Sequence, residues 1–440
     1  MTRFAFLCLV PVFLAPVFAA KPNIVLIMAD DLGYECVGAN GGTSYKTPVL
    51  DRMAERGMRF EHCYSQPICT PSRVKLMTGI SNIRNYIKFG LLDPKATTFA
   101  NILKKEGYAT CVVGKWQLLG GVEGPRRFGF DEHCLWQLNR RPSRFPNPGL
   151  EVNGKQVDYE KGEYGPDVVS DYACDFIGRN KDKPFLVYYP MILTHCPFEP
   201  TPDSKDWNPA SKGSPTYKGD AKYFGDMVTY MDKIIGKILR KLVDEGIREN
   251  TLVVFVGDNG TDKPVVSSMG GRQVVGAKGA MHDGGNRVPC IASWPGTIPA
   301  GRVSREILDF SDFLPTFCEM SGASVPAGID GKSLLSTLKG DGRTHRDWIY
   351  MWYSRSGNNR QARQFVRNQR YKLYGNGKFF DIEKDVLEKA PLEELSSEQK
   401  SIRALLQKGL DHYRDKRPSH LGNTQEKKGK KEKKEKKAAQ

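Results

Sequence analysis

NIVLIMADDLG, residues 23–33, sets six apolar positions in a row and then stops on two carboxylates. An unbroken apolar run of this kind marks a strand buried on both faces, as in a parallel sheet covered by helices; a half-exposed strand would alternate. Asp30 and Asp31 then stand at the strand's carboxyl end. The pattern recurs along the chain. NTLVVFVGDNGTD (250–262) runs apolar into Asp258 and Asn259, KPFLVYYPMILTH (183–195) reads as a strand ending in His195, and YATCVVGKWQ (108–117) as a strand delivering Lys115. Between these runs, TPVLDRMAERG (47–57), TTFANILKKEG (97–107) and DMVTYMDKIIGKILRKLVDEG (226–246) carry helical spacing and glycine stops. Strands alternating with helices predict an α/β fold with a large, mostly parallel central sheet flanked by helices. Polar groups from four strands collect at one edge, where open α/β sheets bind ligands.

The organisation changes near residue 340. DWIYMWY (347–353) and RQFVRNQRYKLYGNGKFFDI (363–382) read as short aromatic strands, and PLEELSSEQKSIRALLQKGLDHYRD (391–415) as a closing helix. The expected organisation is a signal peptide (1–19), a catalytic α/β domain (20–340), a small C-terminal antiparallel sheet plus helix (341–420) and a disordered Lys-rich tail (421–440). The leader has Arg3 before an apolar stretch from Phe4 to Leu14 and a small-residue cut site at Val17-Phe18-Ala19, so the chain is expected to be exported to the periplasm or secreted. Nothing after it reaches the ~20 apolar residues of a spanning helix, and no stable membrane insertion is expected.

The net charge is +16, of which the tail, with eight lysines and three glutamates, supplies part. The remainder is still basic, which favours anionic partners; no nucleic-acid-binding motif accompanies it. With Cys8 in the leader and Cys69 set aside for chemistry, eight cysteines remain. Export permits disulfides, in any of about a hundred pairings, and the lack of C-x-x-C spacing argues against structural zinc.

Two acidic strand ends brought together, Asp30-Asp31 and Asp258-Asn259, would repel unless a hard cation sat among them. Oxygen ligation favours Ca2+, ahead of Mg2+, over zinc. Cys69 stands among turn formers in QPICTPSRVKLMTG (66–79), with Pro71 suited to a first helical turn and Arg73 one turn on. Backbone N–H groups, the helix dipole and Arg73 would all favour negative charge developing at position 69.

Cys69 to Gly79 resembles the sulfatase signature C-[ST]-P-S-R-x-x-x-x-T-G at every defined position, and the resemblance extends over roughly residues 22–385. It implies that Cys69 is converted to formylglycine by a formylglycine-generating or equivalent maturation enzyme. The hydrated aldehyde would then supply the attacking oxygen, and its second hydroxyl would expel sulfate from a covalent ester. It further implies calcium held by Asp30, Asp31, Asp258, Asn259 and position 69. Arg73 would steady the hydrate, Lys115 and Lys278 would bind sulfate, and His195 would stand near the leaving oxygen. The family's G-K-W-H-L-G is written here as Gly114-Lys115-Trp116-Gln117-Leu118-Leu119-Gly120, so a histidine is replaced by Gln117, which cannot take a proton. His282 is a candidate substitute, and Gln117 and His282 join Lys115, His195 and Lys278 as expected substrate contacts. The sequon Asn259-Gly260-Thr261 is discounted because a ligand asparagine is unavailable to a glycan. LWQLNRRPSRFPNPGL (135–150), with its arginines and rings, suits a sulfated sugar. The expected function is therefore an exported, calcium-dependent sulfatase acting on a sulfated polysaccharide. Phosphate or phosphonate ester hydrolysis at the same site, sulfated-glycan binding with little turnover, and a plain cysteine hydrolase are the alternatives.

Overall fold

The computed structural model describes residues 21–214, 216–341 and 344–421. The expected leader and the tail beyond 421 lie outside the described residues. Ten strands form one sheet: β1 (Asn23–Ala29), β2 (Met58–Tyr64), β3 (Ala109–Lys115), β4 (Glu132–Trp136), β5 (Gly149–Val152), β6 (Lys155–Asp158), β7 (Phe185–Pro190), β8 (Thr251–Gly257), β9 (Cys290–Ser293) and β10 (Arg302–Asp309). Their order is β10-β2-β9-β8-β1-β7-β3-β4-β5-β6. The five central strands, β8-β1-β7-β3-β4, are all parallel, and antiparallel strands enter on either side of them. Every residue of β1, β7 and β8 is buried, as an apolar run covered on both faces requires. Helices Gly165–Arg179 and Phe224–Asp244 pack with one core cluster, and Phe99–Lys105 and Phe313–Ser321 with another.

The decisive register is between β1 and β8, where Ala29 pairs with Gly257. Asp30 and Asp258 are therefore the first residues beyond two hydrogen-bonded neighbouring strands, although Asp258 follows Asp31 by 227 positions in the chain. The strand expected to run to His195 ends at Pro190. Residues 191–194 instead fold over the tip of β1, with Met191 N–H donating to Met28 O (2.8 Å) and Thr194 N–H to Asp30 O (2.9 Å). An apolar Met-Ile-Leu run looked like more strand because it is buried on that tip.

The C-terminal segment forms the expected antiparallel sheet, β11 (Ile349–Tyr353), β12 (Arg363–Arg367), β13 (Tyr371–Tyr374) and β14 (Phe379–Asp381), backed by the helix Ser397–Tyr413. Ser396 caps that helix through a reciprocal pair with Gln399. Trp352, Val366, Leu406 and Leu410 share a core cluster with β1 and the Cys69 helix, so this sheet is packed onto the large one. The nine described cysteines are all free thiols and eight are buried, so the permitted disulfides are absent among the described residues. Among them, no helix is long and apolar enough to cross a membrane.

Candidate active site

Position 69 opens the ten-residue helix Cys69–Thr78, every residue of which is buried. Ser72 shapes the turn before it: its hydroxyl donates to Ile68 O (3.0 Å) and accepts from Gln66 N–H (2.9 Å). Arg73, one turn on, donates from Nη1 to the Lys115 carbonyl (2.7 Å) and aims Nη2 at Asp258 Oδ2 (3.4 Å). Gly114 permits this convergence, because a Cβ there would lie 2.0 Å from Pro190 O, closing the gap between β3 and β7. The Sγ of Cys69 and carboxylate oxygens of Asp30 and Asp258 all lie within 4.8 Å of one another. The strand tips do converge on the cysteine.

Three buried carboxylates face three side-chain cations. Lys115 Nζ meets Asp30 Oδ2 at 2.6 Å, Lys278 Nζ meets Asp31 Oδ2 at 2.5 Å, and Arg73 approaches both Asp30 and Asp258. Burial raises the Asp30 carboxyl, but Lys115, His195, Arg73 and Lys278 together pull it well below the usual range. Asp258 is pushed well up by burial and by the charge on Asp30, and Asp31 is raised mainly by burial. The cluster is thus short of positive charge on the Asp258 side. Oδ1 of Asp30 and Oδ1 of Asn259 are buried without any hydrogen-bond partner. Two orphaned oxygens beside carboxylates fit a hard divalent cation, although His195 also comes within 4.8 Å of ligand oxygens of Asp30 and Asp31. Asp31 adopts a left-handed backbone (φ 60°), which aspartate tolerates better than most residues, and Asn259 Nδ2 donates to its Oδ1 at 2.8 Å. Asn259 is fully buried and its sequon is therefore out of reach of glycosylation.

The loop carrying Lys278 is tied to the strand tips at several points. Lys278 N–H donates to Thr261 O (2.9 Å), Gly279 N–H to Pro67 O (2.8 Å) and Gly260 N–H to Gly285 O (3.0 Å). A Cβ on Gly260 would sit 1.9 Å from Gly284 O, so the glycine of Asp258-Asn259-Gly260 is a packing requirement. From the other side, the fully buried Lys372 donates to Met281 O (2.8 Å) and pairs with Glu388, and Arg367 pairs with Asp283. The C-terminal sheet thereby holds the Lys278 loop against the site.

His195 is buried and lies 3.1 Å from Lys278 Nζ and 3.5 Å from Asp31 Oδ2, both measured from Nε2. Its Nδ1 is 2.6 Å from the Cys196 carbonyl, which can only accept, so Nδ1 carries the hydrogen and Nε2 accepts. Burial, and then Lys115 and Lys278, hold the imidazole well below its ordinary value, so it is neutral. Burial likewise raises the Cys69 thiol against the pull of the two lysines. A protonated buried thiol is a poor nucleophile, which disfavours a plain cysteine hydrolase.

Two expected contacts come out differently. His282 does not join the cluster: its Nδ1 accepts from Gly284 N–H (3.2 Å), capping a short helical turn, and its charged neighbours are Glu388, Lys372 and Asp283. Gln117 follows Lys115 by two residues in a left-handed conformation (φ 58°), with a buried Oε1 that has no partner. One residue escaped individual notice. Arg144, buried at 3% exposure, lies over the Trp136 ring (3.8 Å), places Nη1 3.3 Å from His195 Nδ1 and donates to the Tyr217 hydroxyl (2.9 Å). Its only sequence signal was the arginine- and ring-rich stretch 135–150.

The sequence model of the Sulfatase family matches residues 22–323, well over half of the chain. The chain belongs to the sulfatase family. The model "N-sulphoglucosamine sulphohydrolase, C-terminal" also matches, over residues 275–416. This sulfatase is 33% identical to the N-acetylgalactosamine-6-sulfatase of Canis lupus familiaris over 75% of its own length and 68% of that protein's. It is 31% identical to human (Homo sapiens) arylsulfatase A, over 76% and 71% respectively. Among solved structures, Ps i-CgsB matches with a TM-score of 0.77 at 28% identity, covering 93% of this chain and 96% of that one. The same protein in complex with k-i-k-neocarrahexaose matches with a TM-score of 0.76 at 27% identity, with the same coverage. The enzyme is a sulfate ester hydrolase.

Proposed function

We propose that this sulfatase is an exported, calcium-dependent hydrolase of sulfate esters on a sulfated polysaccharide or oligosaccharide, working through a formylglycine made from Cys69. The observation that carries it is the meeting of Cys69, Asp30 and Asp258 within 4.8 Å beside two lysines and two orphaned oxygens. Asp30, Asp31, Asp258 and Asn259 would hold the cation, which would supply charge neutralisation beside the sulfate. As formylglycine, residue 69 supplies a hydrated aldehyde oxygen for attack and a second one for product release; a thiol has neither.

The remaining work falls to side chains. Lys115 and Lys278 are placed to donate to sulfate oxygens, where charge builds in the transition state. Arg73 and the helix N-terminus favour an anionic oxygen at position 69. The Lys278–His195 pair, 3.1 Å apart, holds a proton at the Nζ···Nε2 bond for the departing alcohol oxygen. A glycan substrate is supported by the basic surface, by the buried Arg144 beside His195, and by the glycan bound in the complex of Ps i-CgsB.

The test compares release of sulfate from defined sulfated oligosaccharides with release of phosphate from phosphate monoesters, each with and without a calcium chelator. Chelator-sensitive sulfate release that outpaces phosphate release is expected. Faster phosphate release would move the substrate class to phosphate esters, and binding with no release of either would make the protein a glycan-binding one. A separate prediction concerns Gln117. It can hydrogen-bond but cannot accept a proton, so Gln117→His is expected to keep or raise kcat for sulfate release. A complete loss of steady-state turnover in that variant would assign the glutamine a role of its own.

A further inference from the structure

Beside the nucleophile lies a cavity of about 640 Å³ whose wall includes Lys88, Phe89, Tyr353, Arg355, Gln361 and Arg363. Three cations line it and no acid does. Among the described residues, none of Lys88, Arg355 and Arg363 has a carboxylate within ion-pair distance, in a protein where many exposed cations are paired. Unpaired like charges gathered around one hollow repel one another, a cost that an anionic ligand removes.

The wall of the cavity packs against the segments that carry Cys69 and Lys278. Tyr353 packs in one apolar cluster with Ile68, the residue before the nucleophile, and with Met281 from the Lys278 loop; Phe89 packs against that cluster. Arg363 donates from Nη2 to Gly279 O (3.3 Å), one residue past Lys278. Gly90 N–H donates to the Thr70 hydroxyl (3.1 Å), one residue past Cys69. The Tyr353 hydroxyl, pushed up by burial, is pulled back by Arg355 and Arg363 and also lies within the field of Cys69 and Lys278.

The cations are also held in place. The Arg355 guanidinium lies 5.0 Å from the centre of the Phe89 ring, and the Arg363 guanidinium 5.7 Å from that of Tyr353. The Arg355 carbonyl accepts from both Phe89 N–H (3.2 Å) and the Tyr86 hydroxyl (3.0 Å), fixing the loop that carries it. Forked donors already ordered on rings lose little freedom when they bind a planar or tetrahedral oxyanion.

We infer that Lys88, Arg355 and Arg363 form a second anion subsite, which takes a sulfate or uronate carboxylate on the sugar next to the one being desulfated. This rests on the sulfatase reading of the catalytic pocket and narrows its substrate to glycans charged on adjacent rings. The probes are three disaccharides that share one sulfated ring and differ in the other, which is neutral, sulfated or a uronic acid. Their Kd values are measured by calorimetry, and kcat/KM by sulfate release, on the full-length enzyme and on R355Q/R363Q, with melting curves to check folding. The enzyme is expected to bind at least one charged-neighbour probe about tenfold more tightly than the neutral one, and the double variant to erase that gap. Which charged probe gains affinity identifies the anion. No gap in the parent enzyme, or a gap that survives in the folded double variant, overturns the subsite. A gap erased by the variant upholds the subsite even if no probe loses sulfate; the hydrolytic reading is then the one that fails.

Discussion

Cys69→Ala is expected to lower kcat for sulfate release by roughly four orders of magnitude, equivalent to about 5.5 kcal/mol of barrier. Position 69 is where the helix N-terminus, Arg73, Lys115 and the strand-tip carboxylates meet, and Cys69 is the thiol that groups with Asp30 and Asp258 among the described residues. The side chain is small and lies at a helix start, so its loss is expected to cost little stability, and a melting curve close to that of the parent separates a chemical defect from a folding one. Cys69→Ser sharpens the point. It keeps one oxygen but gains no second, so it is expected to release at most one equivalent of alcohol and then stop. Steady turnover by the serine variant, or residual activity of the alanine variant within tenfold of the parent, would show that another group attacks the ester.

Asp258→Asn is expected to abolish the calcium-dependent rise in melting temperature and to lower kcat/KM by roughly a thousandfold. Asparagine preserves the shape and can still accept from Asp31 N–H, which now meets Asp258 Oδ1 at 3.0 Å, so the change removes charge while leaving the strand tip in place. Without cation the effect on stability has the opposite sign. Burial and Asp30 raise the Asp258 carboxyl well above its ordinary value, so the folded chain holds that proton more tightly than the unfolded one. Stability therefore falls as pH rises from the ordinary carboxylate range toward the raised value, and the ionised group is a burden at neutral pH. The chelated variant is expected to melt above the chelated parent at pH 7, with the difference shrinking toward pH 4. Thermal melts with calcium and with chelator at both pH values read this directly. A variant that still gains stability from calcium would remove Asp258 from the cation site.

Much of this site was legible in the sequence because its logic is local at each strand tip. An apolar run stopping on Asp30-Asp31, and another stopping on Asp258-Asn259, can be read from hydropathy alone. That the two runs are neighbours in register cannot, because strand order is set by packing between segments far apart along the chain. Where the structure departs from the reading of the sequence, the departures have physical causes too. Met191–Leu193 are buried on the tip of β1, so their apolar character suggested a strand that had already ended. His282 is near Lys278 in sequence, yet its ring caps a short helical turn and its charged neighbours are Glu388, Lys372 and Asp283. The even cysteine count left pairing open, and the nine described cysteines are free thiols, eight of them buried as apolar side chains are. The Lys88–Arg355–Arg363 cavity joins the segment after Tyr86 to the β11–β12 hairpin, and Arg144 meets His195 and Tyr217 from distant segments, meetings that no single stretch can state.

The most direct measurement is peptide mass spectrometry of residue 69 in the fraction of purified enzyme that releases sulfate, with hydroxylamine trapping of any carbonyl. An aldehyde at residue 69, present in proportion to specific activity, is the predicted result. Full sulfate release by enzyme whose residue 69 is entirely thiol would contradict it.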